Sequence, residues 1–217
     1  MMSDEPENGK KEEAADKTLS EALMLNNQEP ELRALSVIGD INEEVCREAL
    51  GAMWFLHNSA VVEELTNPED PECADIKEVI KPFEMLISTN GGNADEMFAV
   101  YDAMRYIREE VEIITFGLGK VMSAGTLLLA AGTKGKRRIG KHCRVMVHSV
   151  IGGHVGPMHQ LDNEMKEIKI IQESYIKALC EETDLTEKQL RSWLKKKVNI
   201  YLTAEEAVKY GFADIVT

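Results

Sequence analysis

No run of apolar residues in this chain reaches the roughly 18–20 that a membrane span needs. The softest stretch, Val121 to Gly132, is short and rich in glycine, alanine and serine. Positive charge is also scarce: 25 Lys and Arg stand against 38 Asp and Glu, a formal net charge of −13. A surface of that sign neither neutralises phosphates nor docks on anionic lipid, so nucleic acid and membrane are not expected as partners. The four cysteines (Cys46, Cys73, Cys143 and Cys180) are far apart, with no C-x-x-C pair, and read as free thiols. Metal-ligand spacing, a P-loop and a dinucleotide fingerprint are all missing, so neither a metal nor a cofactor is expected. The opening Met-Met-Ser-Asp-Glu lacks the marks of a secretory signal or a transit peptide, which predicts a cytoplasmic protein.

What is present is enough to build a core. A chain of 217 residues, 44% of them hydrophobic, fits one α/β domain or at most two small ones. Residues 1–31 read as an acidic, flexible or disordered extension with a short helix at Thr18–Leu25, and the domain proper is expected from 32 to 217. Strand patterns fall at Leu35–Ile38, Met85–Ser88, Val111–Gly117, Arg144–His148 and Phe212–Val216. Helical patterns fall at Asn42–His57, Ala94–Glu109, Ser123–Ala131 and Pro157–Cys180. Two further helices are announced by the capping boxes Thr186-x-x-Gln189 and Thr203-x-x-Glu206. Residues 63–82, with three prolines among acids, read as an exposed insertion or linker with a helical turn at Ile76, Val79 and Ile80. Alternating strands and helices imply an α/β fold with right-handed crossovers and a largely parallel sheet.

Three features carry chemistry. Asn90-Gly91-Gly92-Asn93 closes a strand and opens a helix; it is either a tight turn or a turn that points N–H groups outward. Ser123 stands at a helix start, either as an N-cap or as an exposed nucleophile. His148 ends an apolar strand, where open α/β sheets place ligand sites, and is either structural or a base. Taken together they read as a nucleophile, a base and two backbone donors, the N–H groups of Gly92 and Ala124, for an oxyanion. That is the chemistry of acyl transfer, most simply hydrolysis.

The same segments, in order, resemble the Clp protease proteolytic subunit family (ClpP). The resemblance rests on Asn90-Gly91-Gly92, Ser123-Ala124-Gly125-Thr126, Leu128-Leu129-Ala130-Ala131-Gly132, Lys134-Gly135-Lys136-Arg137, Val145-Met146-Val147-His148, Gly152-Gly153 and the run from Thr203 to Gly211. It implies a ClpP/crotonase-like fold with mostly parallel sheets, crossover helices and a protruding handle helix within 150–182. It also implies a serine endopeptidase acting on unfolded polypeptide: Ser123 as nucleophile, His148 as base, Gly92 and Ala124 as oxyanion donors, and Gly91, Gly152 and Gly153 binding substrate backbone. Implied partners are copies of the chain, in heptameric rings stacked as a tetradecamer, a second ClpP-type subunit and an AAA+ Clp ATPase. ATP is the ATPase's substrate, not this chain's.

Five departures bear on that expectation, the first being Asn90 where the family has a proline before the paired glycines. The third member of the triad falls on Asn199 where the family has aspartate, which predicts reduced activity. Ser149-Val150 replaces the usual Gln-Pro after the histidine, so one wall of the cleft is expected to be less fixed. Glu84 and Leu86 stand where the family places aromatics that dock the ATPase. An Asp-Arg pair that links site and ring contacts is absent around 197–199. With the acidic segments these suggest a divergent branch, viral (and so in host cytoplasm) or plastid. A weakly active or non-catalytic ring subunit is the competing reading, and a crotonase-type acyl-CoA enzyme a third.

Overall fold

The computed structural model describes residues 32–67, 75–153, 155–196 and 198–217. The expected N-terminal extension and its short helix lie outside the described residues. Packing separates the chain into a body of 33–57 with 82–217 and a second unit that includes 58–81. A single domain over 32–217 was the expectation, so the partition differs from it at the 63–82 segment.

That segment is an antiparallel hairpin, not a linker. Strand β2 (Val61–Leu65) pairs with β3 (Ile76–Ile80) in the register Val61↔Ile80 to Leu65↔Ile76. The expected helical turn at Ile76, Val79 and Ile80 is thus a strand. β-branched residues favour the pleat, and Pro82 falls outside the paired residues.

In the body, β1 (Ala34–Ile41), β4 (Phe83–Gly92), β5 (Ile113–Met122), β6 (Arg138–Ile139) and β9 (Ile215–Val216) lie side by side, all parallel. Helix α1 (Glu43–Asn58) follows β1, α2 (Ala94–Ile107) joins β4 to β5, and α3 (Ala124–Ala130) follows β5. The α/β, mostly parallel architecture is the one expected. β5 runs five residues beyond its expected end at Gly117, because it is bonded along its length by two successive strands. Phe116 and Gly117 pair with β6, and Lys120 to Met122 pair with β7 (Arg144–Val147). β7 also pairs antiparallel with β8 (Ile200–Leu202), the one antiparallel pairing described in this sheet. The last strand is shorter than expected: Phe212 and Ala213 are buried, but only Ile215 and Val216 pair.

Helix α4 (Met158–Glu182) is the long helix of the sequence reading. Its first ten residues are exposed, whereas Tyr175, Ile176, Ala178, Leu179 and Glu182 are buried. Residues 150–153 and 155–157, ahead of this helix, form neither helix nor strand. Both expected capping boxes are present, opening α5 (Glu187–Lys195) and α6 (Ala204–Lys209). All seven residues of α3 are buried, which is why its sequence is apolar all round.

Candidate active site

Three neighbouring parallel strands end at one edge. Met122 at the end of β5 pairs with Met146 in β7, and Thr89 near the end of β4 pairs with Val121. That register sets Gly91 and Gly92, Ser123 and His148 side by side beyond the carboxyl ends of the strands, where open α/β sheets carry their sites. A cavity of about 620 Å³ is lined there by Gly92, Ser123, Ala124, His148, Gly152 and Gly153 together. Gly91 is not in the lining, but supports it from behind: a Cβ there would fall 2.5 Å from the Ser123 Cβ. At Gly92 a Cβ would collide with the Ile41 carbonyl. Thr89, fully buried, holds this turn by accepting the Gly91 N–H at 2.9 Å.

Ser123 is the one described non-glycine residue with positive φ (φ 52, ψ −123). Its side chain makes no capping bond to its own helix, so it is not serving as an N-cap. Its backbone is fixed on both sides. The N–H donates to the Met146 carbonyl at 2.8 Å, and the Ser123 carbonyl accepts from the Thr126 N–H at 3.0 Å and the Thr126 hydroxyl at 2.7 Å. A strained residue at a sharp strand-to-helix turn, held by its surroundings, is the form in which α/β enzymes expose a serine oxygen.

His148 is half-buried. Burial holds its pKa below the ordinary imidazole value, offset in part by a hydrogen bond with the Ser149 backbone. Asn199 is placed differently. The β7–β8 pairing ends at Val147↔Ile200, so His148 and Asn199 each stand one residue beyond the last pair. Asn199 is nevertheless exposed and does not line the cavity, and no hydrogen bond joins it to His148 among the described residues.

The sequence reading did not single out the α4 residues that complete the cavity. Glu164, Ile168, Ile171 and Tyr175 recur at helical spacing and face it together. The period was visible; the target of that face was not. The basic motif Lys134–Arg137 is internal buttressing. Arg137, 3% exposed, binds Asp214 and the carbonyls of Ala130, Glu182 and Gly211. Glu84 is ion-paired with Arg138 at 3.2 Å, so a charged pair occupies a position where the resemblance implied a docking aromatic. Cys46, Cys143 and Cys180 are free thiols, and burial pushes Cys46 and Cys143 up to about 11. Among the described residues no group of three His, Cys, Asp or Glu is placed to hold a metal ion, and no helix is long and apolar enough to cross a membrane.

The fold and the sheet-edge cavity define a class, the α/β proteins with a crossover-linked parallel sheet and a site at its carboxyl edge. Comparison with known proteins narrows it. The family model for Clp protease matches residues 72–217, a span that holds every motif quoted above. Over 143 residues the chain is 34% identical to the ATP-dependent Clp protease proteolytic subunit 2 of Prochlorococcus marinus, covering 65% of this chain and 70% of that protein. The chain belongs to the Clp protease family.

Proposed function

We propose that this chain is a serine endopeptidase, the proteolytic subunit of a Clp-type ATP-dependent protease. The observation that carries this is the Ser123 backbone, strained and pinned, in one cavity with His148 and the glycine turn. In this reading His148 takes the Ser123 hydroxyl proton as the oxygen attacks a peptide carbonyl. The leaving amine receives that proton, and water then hydrolyses the acyl-enzyme. The N–H groups of Gly92 and Ala124 receive the oxyanion; helix-start N–H groups have no intrahelical partner. Gly152 and Gly153 line the cavity, and open space beside Gly153 suits an extended substrate backbone, while Gly91 acts by letting the glycine turn close on Ser123.

Assembly is proposed on the same footing. Met158, Leu161 and Met165 leave an apolar stripe exposed along the first half of α4. Such a stripe marks a contact surface, and supports ring-to-ring association of copies of this chain in a cytoplasmic or plastid setting. An AAA+ partner would feed unfolded substrate; Trp54 and Tyr106, both exposed with rings 5.5 Å apart, offer it an aromatic patch.

The second reading, a weakly active subunit that modulates a ClpP-type partner, is favoured by one observation: His148 has no bond to Asn199. Fluorophosphonate labelling of the assembled protein, mapped by mass spectrometry beside Ser123→Ala, separates the two. A single adduct on Ser123 and peptide cleavage that Ser123→Ala abolishes, with oligomer size unchanged, support the peptidase. No adduct in folded, assembled protein supports the modulatory subunit.

A further inference from the structure

One face of α4 reaches both halves of the site. Tyr175, 4% exposed, lies with its hydroxyl 3.1 Å from the Ser123 carbonyl and 2.7 Å from the Thr126 hydroxyl. Three residues earlier, Gln172 Oε1 accepts the Val150 N–H at 2.7 Å. Val150 is two residues past His148 and lines the same cavity. One turn before that, Ile168 packs on Gly152 with no space for a Cβ between them.

We propose that Gln172 and Tyr175 are positioning residues that hold the His148 loop and the Ser123 turn in one frame, with α4 as their common support. The inference rests on the reading of Ser123 and His148 as nucleophile and base. The His148 loop needs such a support because residues 148–153 form neither helix nor strand. Where this chain has Val150, a proline would bring no N–H; valine brings one, and a buried N–H left unpaired is costly. Gln172 supplies the acceptor, so this wall of the cleft is fixed after all, by a side chain in place of a ring. Gln172 does so while its own Nε2 stays buried without a partner. An amide that leaves its donor unsatisfied is set by what its oxygen holds.

The Ser123 carbonyl is served in duplicate. Among the Thr126 hydroxyl, the Tyr175 hydroxyl and that carbonyl there are three contacts but two protons, so either hydroxyl alone can donate to the carbonyl. Burial pushes the Tyr175 pKa up to about 12, which keeps its proton on the oxygen.

The test compares Gln172→Met, which removes the acceptor at similar volume, with Gln172→Glu, which keeps it. Rates of peptide cleavage and of fluorophosphonate labelling are measured on assembled protein. Misplacing a catalytic group by about 1 Å costs on the order of 100-fold. Gln172→Met is therefore expected to lower kcat and labelling about 10- to 100-fold with KM nearly unchanged, and Gln172→Glu to recover most of the loss. Equal losses in both variants, or none in Gln172→Met, overturn the role of Gln172. Tyr175→Phe and Thr126→Val are each expected to lower kcat about threefold or less, and together more than their product, because they share one acceptor. Losses that simply multiply overturn the role of Tyr175. Should Gln172→Met fail to assemble, hydrogen exchange in the unaltered protein decides. A Val150 amide exchanging slowly supports the clamp, and one exchanging at the rate of open chain overturns it. That exchange does not depend on Ser123, so failure of the clamp and failure of the peptidase reading stay distinct: the latter shows as cleavage retained by Ser123→Ala.

Discussion

Ser123 holds a conformation that a side chain disfavours, and its neighbours set how much. At φ 52 and ψ −123 a non-glycine residue carries strain of about 1–3 kcal/mol. Glycine would lose that strain but add about 0.5–1 kcal/mol of unfolded-chain entropy, so strain relief is the larger effect. Ser123→Gly should therefore unfold at a higher temperature than Ser123→Ala, by calorimetry, while both lack peptidase activity; a lower melting point for the glycine variant would show that the turn is unstrained. Asn199 poses the complementary question, that of a missing charge. An aspartate at the orienting position holds the histidine tautomer and stabilises the imidazolium; in trypsin its replacement by asparagine costs about 10⁴ in kcat through the wrong tautomer. Because Asn199 and His148 each stand one residue beyond the Ile200↔Val147 pair, Asn199→Asp should raise kcat by about tenfold or more. It should also shift the acid limb of the kcat/KM profile to higher pH, since a nearby carboxylate favours protonated His148. In the unaltered protein that limb should lie below the ordinary imidazole value, because burial holds His148 down. Unchanged rates and an unmoved limb in Asn199→Asp would mean that position 199 does not reach His148 at all.

Between elements, the site depends on how closely the β4 turn approaches the β5 turn. A Cβ at Gly91 would stand 2.5 Å from the Ser123 Cβ and 2.9 Å from the Met122 carbonyl oxygen. Gly91→Ala must push the nucleophile turn away, and at φ 96 alanine is itself strained. We expect fluorophosphonate labelling to fall about 100-fold or more while the circular dichroism of the parallel sheet is retained; labelling at the unaltered rate would show that the two turns do not meet. The glycine pair, Ser123 and His148 were all legible in the sequence, because turn chemistry and strand ends leave local marks. The hairpin at 61–80 was not, since its β-branched residues are diluted by acids and prolines, and only pairing across the intervening residues makes them strands. The β7–β8 pair escaped for the same reason: three residues, Ile200 to Leu202, have no local signature, yet they set the place of Asn199. Gln172 escaped because its partner is a backbone N–H 22 residues away.

Across the body, a buried ionic cluster ties α2, α4 and the chain's C-terminal segment together. Glu182, 1% exposed, receives bidentate hydrogen bonds from Arg108 at 2.7 and 2.8 Å and one from the Tyr101 hydroxyl at 3.0 Å. Lys134 lies 3.8 Å away. Asp214 accepts from Arg137 and from the Gly135 N–H. Burial pushes both carboxyls up, but the Arg108 contacts at Glu182 and the Arg137 contacts at Asp214 outweigh it, so both are held below their ordinary values. A carboxylate with a depressed folded pKa stabilises above its unfolded value, about pH 4, and loses that contribution as pH falls through the folded value. The contribution of these two carboxylates, read as the stability difference from variants that lack them, should therefore be nearly flat from pH 7 to 5 and decline below about 4.5. Glu182→Gln removes the charge but keeps the shape, leaving Arg108 and Lys134 without their counter-ion, which for a buried pair costs about 3–5 kcal/mol. That difference should be full at pH 7 and shrink as pH falls below the unfolded value toward the depressed folded value, through which the native carboxyl is itself neutralised. A difference that stays constant across this range would mean that the glutamine destabilises through packing, and that the charge of Glu182 does not hold the body together.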